Sequence, residues 1–552
     1  MKVTVVHPPT LLNVRNLGTM KPSLPLGLAY VAAAAREAGH LVRVVDAIAL
    51  APHETARDRD LLRIGAGPAE LAAAVPEDTE VLAVGCTFSF LWPLVRELVV
   101  ALRARFPRAF IVAGGEHLSA LPERSLREAP LDLVAIGEGE ETFVCVLAAL
   151  ERGARCCDDV AGVAFLRDGA YHATPRRARQ RDIDRIAPPA WDLFDVASYN
   201  AHDFSLGMRL GFSLPILATR GCPYSCTFCT SPDMWTTRWQ ARSPRLVVDE
   251  MASYVDRYGA RSFPFHDLTA VVKRRFIVEL CQEILARGLD VTWQLPAGTR
   301  CEAFDAELAE LMVRAGCRYL AFAPESGSPE VRERLKKRMA EDTLYDAVRV
   351  AVPAGMHVSC YFIVGLPFDT RAGLGQTLAM VRRLAQLGVE DISAHYFHPA
   401  PGSELYRELD ARGKLRHDDE ELMSALHMTG LTPPKDGQGS YCDALTPLEL
   451  AFWRYLIFAT FYATRFAARP AAALRLVQNV LADRETNKLE AFARELKLKL
   501  RWRRHGAAAR AGAPQVTQEP APRATVPARA RPRSRAADRA ATGADQARAP
   551  RR

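Results

Sequence analysis

A membrane-spanning helix needs roughly 20 apolar residues in a row. This 552-residue chain has no uninterrupted run of that kind, because even the aromatic stretch 448–466 is broken by Arg454 and Arg465. No secretory leader opens the sequence: Met1-Lys2 runs straight into the strand-like Val3-Thr4-Val5-Val6, so the cytoplasm is the expected compartment. A GxGxxG fingerprint is absent, which disfavours a nicotinamide cofactor. No second CxxC or HxxxH pair accompanies the clustered cysteines, which argues against a structural zinc site, since zinc takes four ligands. Excess charge of either sign is small once the tail is set aside. Residues 506–552 hold 10 Arg against Glu519, Asp538 and Asp545, which accounts for +7 of the formal +8. That tail is rich in Ala, Pro and Arg and poor in large apolar side chains, the composition of a disordered extension. It can touch RNA or anionic lipid weakly, so weak membrane-surface contact stays open, and no specific nucleic-acid partner is expected.

The 12 cysteines are mostly single and set in apolar stretches, as reduced thiols in a cytosolic protein are. The exception is Gly-Cys-Pro-Tyr-Ser-Cys-Thr-Phe-Cys, in which Cys222, Cys226 and Cys229 form a CxxxCxxC triplet directly after the apolar segment 214–218. Three thiolates on one loop hold three corners of a [4Fe–4S] cube where four ligands are usual. The fourth iron is left open to a small molecule.

The flanking sequence alternates strand and helix twice. Strands are expected at 2–6, 41–46, 81–87, 110–113 and 131–136, with helices at 26–38, 91–106 and 140–151. Near-continuous apolar strands with helical crossovers imply a parallel sheet covered on both faces, a doubly wound Rossmann- or flavodoxin-like domain over 1–150. Residues 151–205 read as a connector: a hairpin at 160–173, a charged stretch, then the stiff Pro188-Pro189-Ala190-Trp191. Six further units follow, with strands at 214–218, 262–265, 291–295, 319–323, 358–364 and 392–397 and helices at 244–258, 271–287, 304–315, 343–354 and 371–387. Six such units suit a partial (β/α)6 barrel over 206–405, with function at the strand carboxyl ends. A helical C-terminal region spans 406–505, ahead of the disordered tail 506–552. The aromatic helix at 448–466 is expected to pack across the barrel mouth, an interfacial membrane helix being the alternative.

The cysteine triplet, with Phe228 before its last member, resembles the signature of the radical S-adenosylmethionine (SAM) superfamily. Ser89-x-Leu91 followed by Gly114-Gly115 resembles the cobalamin-binding domain of many methyltransferases and mutases. The stretch Pro25-Leu26-Gly27-Leu28-Ala29-Tyr30 and the run Gly137-Glu138-Gly139-Glu140 look like the version fused to radical SAM enzymes, the group often called class B radical SAM methyltransferases. A ligand-free flavodoxin-like domain is the alternative for 1–150. The Asp-x-His-x-x-Gly motif that supplies a lower axial histidine in other cobalamin proteins is absent. If cobalamin binds, its dimethylbenzimidazole tail is therefore expected in the sheet and its cobalt without a histidine below. His117 is read as a polar loop residue near the corrin side chains, with cobalt ligation or hydrogen-bond donation as its alternatives.

The resemblance implies three cofactors, a [4Fe–4S] cluster, SAM and cobalamin, with Cys222, Cys226 and Cys229 as cluster ligands. It places Phe228 against adenine, His266 and Asp267 at the methionine amino group, Arg300 at a carboxylate, and Glu325 at the ribose hydroxyls or amino group. Ser326 belongs to the Glu-Ser-Gly-Ser motif, and Gly365 opens the Gly-Leu-Pro turn at the next strand end. Ser89, Leu91, Gly114, Gly115, His117, Gly137 and Glu138 are the expected cobalamin contacts. For Arg300 a surface ion pair is nearly as good a reading. The activity implied is methylation of an unactivated carbon, or phosphorus, on a small natural product or lipid. A 5′-deoxyadenosyl radical and methylcobalamin would carry it, fed by an external one-electron reductant of flavodoxin or ferredoxin type. Cyclisation or rearrangement without methyl transfer, a non-catalytic corrinoid or iron–sulfur sensor or electron carrier, and RNA methylthiolation are the competing readings. The last would require extra cluster cysteines that Cys86 and Cys145, standing alone, do not supply.

Overall fold

The first sheet is built from strands with alternating side chains, both sets of them buried. The computed structural model describes residues 1–13, 21–52, 55–58, 61–154, 157–430, 440–482, 487, 489–490 and 492–493; the expected tail 506–552 lies outside these. Seven strands form the sheet: β1 Lys2–His7, β2 Leu41–Asp46, β3 Val81–Gly85, β4 Phe110–Gly114, β5 Leu133–Ala135, β6 Val163–Arg167 and β7 Ala170–Ala173. Their spatial order is β7-β6-β5-β4-β3-β1-β2. The five parallel strands thus run 2-1-3-4-5, the flavodoxin-like order, with its ligand crevice at the switch between β1 and β3. Val3, Val5, Val81, Ala83 and Val112 face one core with the helices Leu26–Glu37 and Gly139–Glu151. Val6, Leu82, Val84, Ile111 and Ala113 face the other, under Pro68–Ala74 and Trp92–Arg105. Covering both faces explains why these strands read as continuous apolar runs.

Two features depart from the sequence reading. The hairpin placed in the connector is β6–β7, and β6 joins β5 antiparallel, so it extends the first sheet. A small antiparallel sheet of Thr10–Asn13, Leu61–Ile64 and Thr55–Asp58 grows from the loops after β1 and β2, where only loops were expected. The connector after the hairpin is anchored rather than free. The Ala190 N–H donates to Ala29 O at 3.1 Å, and Trp191, Phe194 and Tyr199 are buried in the core shared with the barrel.

The barrel sheet is β8 Ser262–Pro264, β9 Thr292–Thr299, β10 Cys317–Glu325, β11 His357–Val364 and β12 Asp391–Tyr396, parallel and in sequence order. The expected first strand at 214–218 is only partly formed. It meets β8 through isolated bridges, Ser213 with Ser262 and Ile216 with Phe265. Pro215 lacks the N–H that a regular ladder requires. The chain then turns into Thr219–Arg220, which pairs antiparallel with Gln240–Ala241.

The helix Pro447–Ala468 lies along the helix Arg371–Leu387 and the edge strand β12, not across the mouth of the barrel. Its arginines are the reason. Buried Arg454 donates to the carbonyls of Ala394 (2.6 Å), Gly430 (2.6 Å) and Thr429 (3.2 Å), and Arg465 donates to Val389 O at 2.6 Å. Leu450 of its first turn packs near the strand end at Gly365, and Arg454 lies over the ring of Tyr396, the last residue of β12, at 4.8 Å. Among the described residues no helix is long and apolar enough to cross a membrane.

Candidate functional site

The cysteine loop leaves Arg220 through Gly221, whose φ is 79°. A Cβ there would lie 2.4 Å from Arg238 O, so only glycine fits the turn. The loop is held from both sides. Thr227 donates its N–H to Leu335 O at 3.1 Å, Leu405 donates to Thr227 O at 2.9 Å, and the Ser231 N–H points at Cys229 Sγ, 3.4 Å away. Burial pushes all three thiols up, Cys229 to about 12, while Lys337 and Arg300 pull Cys222 and Cys226 back down. Metal binding removes those protons, and cations beside the sulfurs favour it. Among the described residues no three His, Cys, Asp or Glu side chains converge as they would on a single ion. A cube asks for something else, one sulfur on each of three separate irons. Three thiols on one cation-flanked loop fit that group.

Around the loop, the strand ends carry the polar residues singled out in the sequence. Arg300, after β9, stacks on the Tyr224 ring at 4.1 Å. Its Nε donates to Glu302 Oε2 at 3.1 Å and its Nη2 to Arg338 O at 2.5 Å. Its Nη1 is buried with no hydrogen-bond partner among the described residues. Glu325 ends β10 with φ 65°, a costly conformation for a residue with a side chain, and its Oε1 accepts from Lys337 Nζ at 3.1 Å. Asp267 is turned toward the first strand, accepting from the Thr219 hydroxyl at 2.6 Å and the Ala218 N–H at 3.2 Å; burial pushes its carboxyl up to about 6. Burial alone pushes the neighbouring His266 down to about 4, so its imidazole is neutral. Ser326 is enclosed, its Oγ 3.4 Å from Thr377 Oγ1 and accepting from the Ser328 N–H at 3.1 Å. Phe228 packs with Leu335, Leu366 and Leu405 beneath the loop. Gly365 has φ 89° and donates its N–H to Asp369 Oδ2 at 2.8 Å.

Lys337 was missed in the sequence, where it is one of three basic residues in a row. Lys336 takes a left-handed turn (φ 54°) as the helix Pro329–Arg334 ends. That turn leaves Lys336 and Arg338 outside and swings Lys337 under the cysteine loop.

At the first sheet, Ser89 and Leu91 form a single turn after β3. Leu91 is buried in the core. His117 is not a loop residue. It sits in the helix Glu116–Ala120, 1% exposed, stacked on Trp92 at 5.0 Å. Its Nδ1 lies 3.0 Å from Ser89 Oγ and its Nε2 is buried without a partner among the described residues. Burial holds it neutral, at about 3. A Cβ on Gly115 would strike Cys86 O at 2.4 Å, so that glycine serves the backbone; Gly114 is ordinarily packed, and Gly137 faces open space. Phe88 stands 54% exposed beside them, stacked on Phe90. An exposed ring, an open glycine and an orphaned imidazole nitrogen at the strand carboxyl ends fit a large cofactor with an apolar face and amide groups. Glu138 turns instead toward the barrel, where it meets Arg220 at 3.1 Å, beside a cavity of about 190 Å3 lined by Gly137, Glu140, Arg179 and Met234.

Residues 216–418 match the radical SAM superfamily, and residues 21–147 match the B12 binding domain. The chain is a radical SAM enzyme with a B12-binding domain ahead of its barrel. It is 29% identical over 448 residues to the Pyrococcus horikoshii protein named uncharacterized methyltransferase PH0819, covering 77% of this chain and 90% of that one. It is 28% identical over 434 residues to the cytidylyl-2-hydroxyethylphosphonate methyltransferase of Streptomyces wedmorensis, covering 72% and 80%. To the anaerobic magnesium-protoporphyrin IX monomethyl ester cyclase of Cereibacter sphaeroides it is 30% identical over 309 residues, covering 55% and 49%. Among solved structures, the radical SAM methyltransferase TsrM from Kitasatospora setae aligns with a TM-score of 0.61 at 17% identity, covering 84% of this chain and 89% of TsrM.

Proposed function

We propose that this cobalamin-dependent radical SAM enzyme transfers a methyl group to an unactivated carbon, or to phosphorus, of a small molecule or lipid. When bound, the cluster and SAM supply a 5′-deoxyadenosyl radical and cobalamin supplies the methyl. Cys222, Cys226 and Cys229 would hold the cluster, three ligands where four are usual. Lys337 and the free Nη1 of Arg300 offer positive charge to SAM's carboxylate, and Glu325 accepts from its amino group or ribose. His266 would lie at the methionine amino group and Phe228 against the adenine, while the Ser326 and Gly365 turns set the two flanking strand ends. Ser89, His117, Gly114, Gly115 and Gly137 shape the floor of the cobalamin crevice. One observation carries the reading: Arg220, two residues before Cys222, is bonded to Glu138 and Glu140 from the sheet's ligand edge, which supports two cofactor sites that face each other. The phosphonate methyltransferase relative supports methyl transfer to a small molecule.

The test is anaerobic purification with iron and cobalt measured together, followed by turnover with SAM and a low-potential one-electron donor. Methyl transfer predicts cobalt bound, 5′-deoxyadenosine formed, and a product heavier by one methyl. Iron without cobalt would remove the cobalamin half of the proposal. The cyclase relative favours one second reading, ring closure without methyl transfer, for which the product would instead be lighter by hydrogen.

A further inference from the structure

We infer that Arg220 is a positioning residue: an ion-pair clamp from the Gly137–Glu140 run to the cysteine loop fixes how the two cofactor sites face each other. The inference rests on the two-site reading above and adds what holds the sites in register. Arg220 is the last residue of the short strand that feeds Gly221 and Cys222, and its side chain is 5% exposed. Its Nη1 reaches Glu138 Oε1 at 3.1 Å and its Nη2 reaches Glu140 Oε1 at 2.5 Å. The guanidinium lies between two rings, Tyr30 of the helix Leu26–Glu37 at 5.1 Å and Trp235, just beyond the cysteine loop, at 6.0 Å. A second arginine, Arg179 in the connector, also stacks on Trp235, at 5.4 Å, lies 3.6 Å from Glu138, and donates to the carbonyls of Trp235 and Arg238. The Gln180 N–H closes the set on Glu138 Oε2 at 3.2 Å. Arg242 pairs with Glu250 at 2.7 Å nearby. Three arginines therefore face three glutamates, and of the six Arg220 and Glu250 are fully buried.

The interface does not need these charges for adhesion. Leu24, Leu26, Ala29, Tyr30, Ile48 and Ile64 of the first domain already share one apolar core with the barrel. Apolar contact is non-directional and lets surfaces slide, and a buried ion pair adds little net stability over an apolar replacement. What a guanidinium bonded to two carboxylates adds is direction. Transfer between two cofactors depends on approach geometry to a fraction of an ångström. A clamp attached two residues from a cluster ligand sets that geometry.

The test uses the full-length chain loaded with both cofactors and the variants Arg220→Lys and Glu140→Gln. Its first readout is the magnetic coupling between the reduced cluster and cob(II)alamin, seen in the EPR line shape. Its second is the ratio of 5′-deoxyadenosine to methylated product. The clamp predicts wild-type iron and cobalt contents, a coupling spread over several values, and a several-fold rise in that ratio. Full cofactor loading with an unchanged line shape and ratio overturns it. Should Arg220→Lys fail to fold, Glu140→Gln decides, because it keeps the side-chain volume and the Glu138 bond. Should the wild-type chain bind no cobalt, the functional proposal falls separately. The clamp is then judged by hydrogen exchange of the loop 219–231 in the full chain: at least tenfold faster exchange in Glu140→Gln supports it, and unchanged exchange refutes it.

Discussion

Replacing Lys337 by methionine removes the cation from a buried pair and leaves Glu325 facing the cysteine loop alone. The two charges stand 3.1 Å apart, and at an effective dielectric constant near 20 they attract by about 5 kcal/mol. Truncating one partner of such a pair costs about 3–5 kcal/mol, because the survivor keeps its desolvation cost. Burial already pushes the Glu325 carboxyl up, with Lys337 the chief opposing influence, so in the variant it rises further and takes a proton. A carboxyl raised in the folded state stabilises the fold below its unfolded value and loses that contribution as pH climbs through its folded value. The Lys337→Met deficit is therefore larger at about pH 8 than at about pH 5.5. Adding Glu325→Gln recovers more than half of it at the higher pH. Urea-unfolding midpoints of the cofactor-free chain at both pH values measure this. An equal deficit at the two, or no recovery in the double variant, would refute the reasoning.

Cys226→Ala abolishes 5′-deoxyadenosine formation while cobalt content is retained; persistent cleavage of SAM contradicts the ligand assignment. Arg454→Met strands three buried carbonyls and lowers stability by about 3 kcal/mol, visible as a drop in thermal midpoint; an unshifted midpoint contradicts the role given to that arginine. Asp267, pushed up to about 6 by burial, gives stability that is complete below about pH 4 and falls by about 3 kcal/mol as pH climbs past 6. Asp267→Asn flattens that part of the pH–stability curve, and an unchanged slope counts against it.

The first sheet was legible because its strands are β-branched runs bounded by Gly, Pro and Asp, and because the first helix, Leu26–Glu37, ends within a residue of the expected 38. Pairing was not. The hairpin at 163–173 reads the same whether it stands alone or joins β5 at the sheet edge, since only the tertiary fold supplies the partner. The strands Thr10–Asn13 and Leu61–Ile64 have four residues each, too few to show a period. Pro215 stands inside the strand expected at 214–218, and its missing donor is why that apolar segment lies along β8 without a regular ladder. At the site, the cysteine spacing carries its chemistry in the sequence itself. Lys337 does not, because the left-handed turn at Lys336 decides which basic residue goes inward. The Glu138–Arg220 contact joins positions 82 apart, and the sequence reading assigned that glutamate to a cofactor. His117, taken for a loop residue, sits in a short helix with its ring stacked on Trp92.

EPR of the dithionite-reduced chain before and after adding SAM tests the central claim most directly. A [4Fe–4S] cube held by three thiolates has an open iron, so SAM binding shifts the g-values. A cube whose signal ignores SAM, or oxygen-free material with no cube at all, contradicts the account.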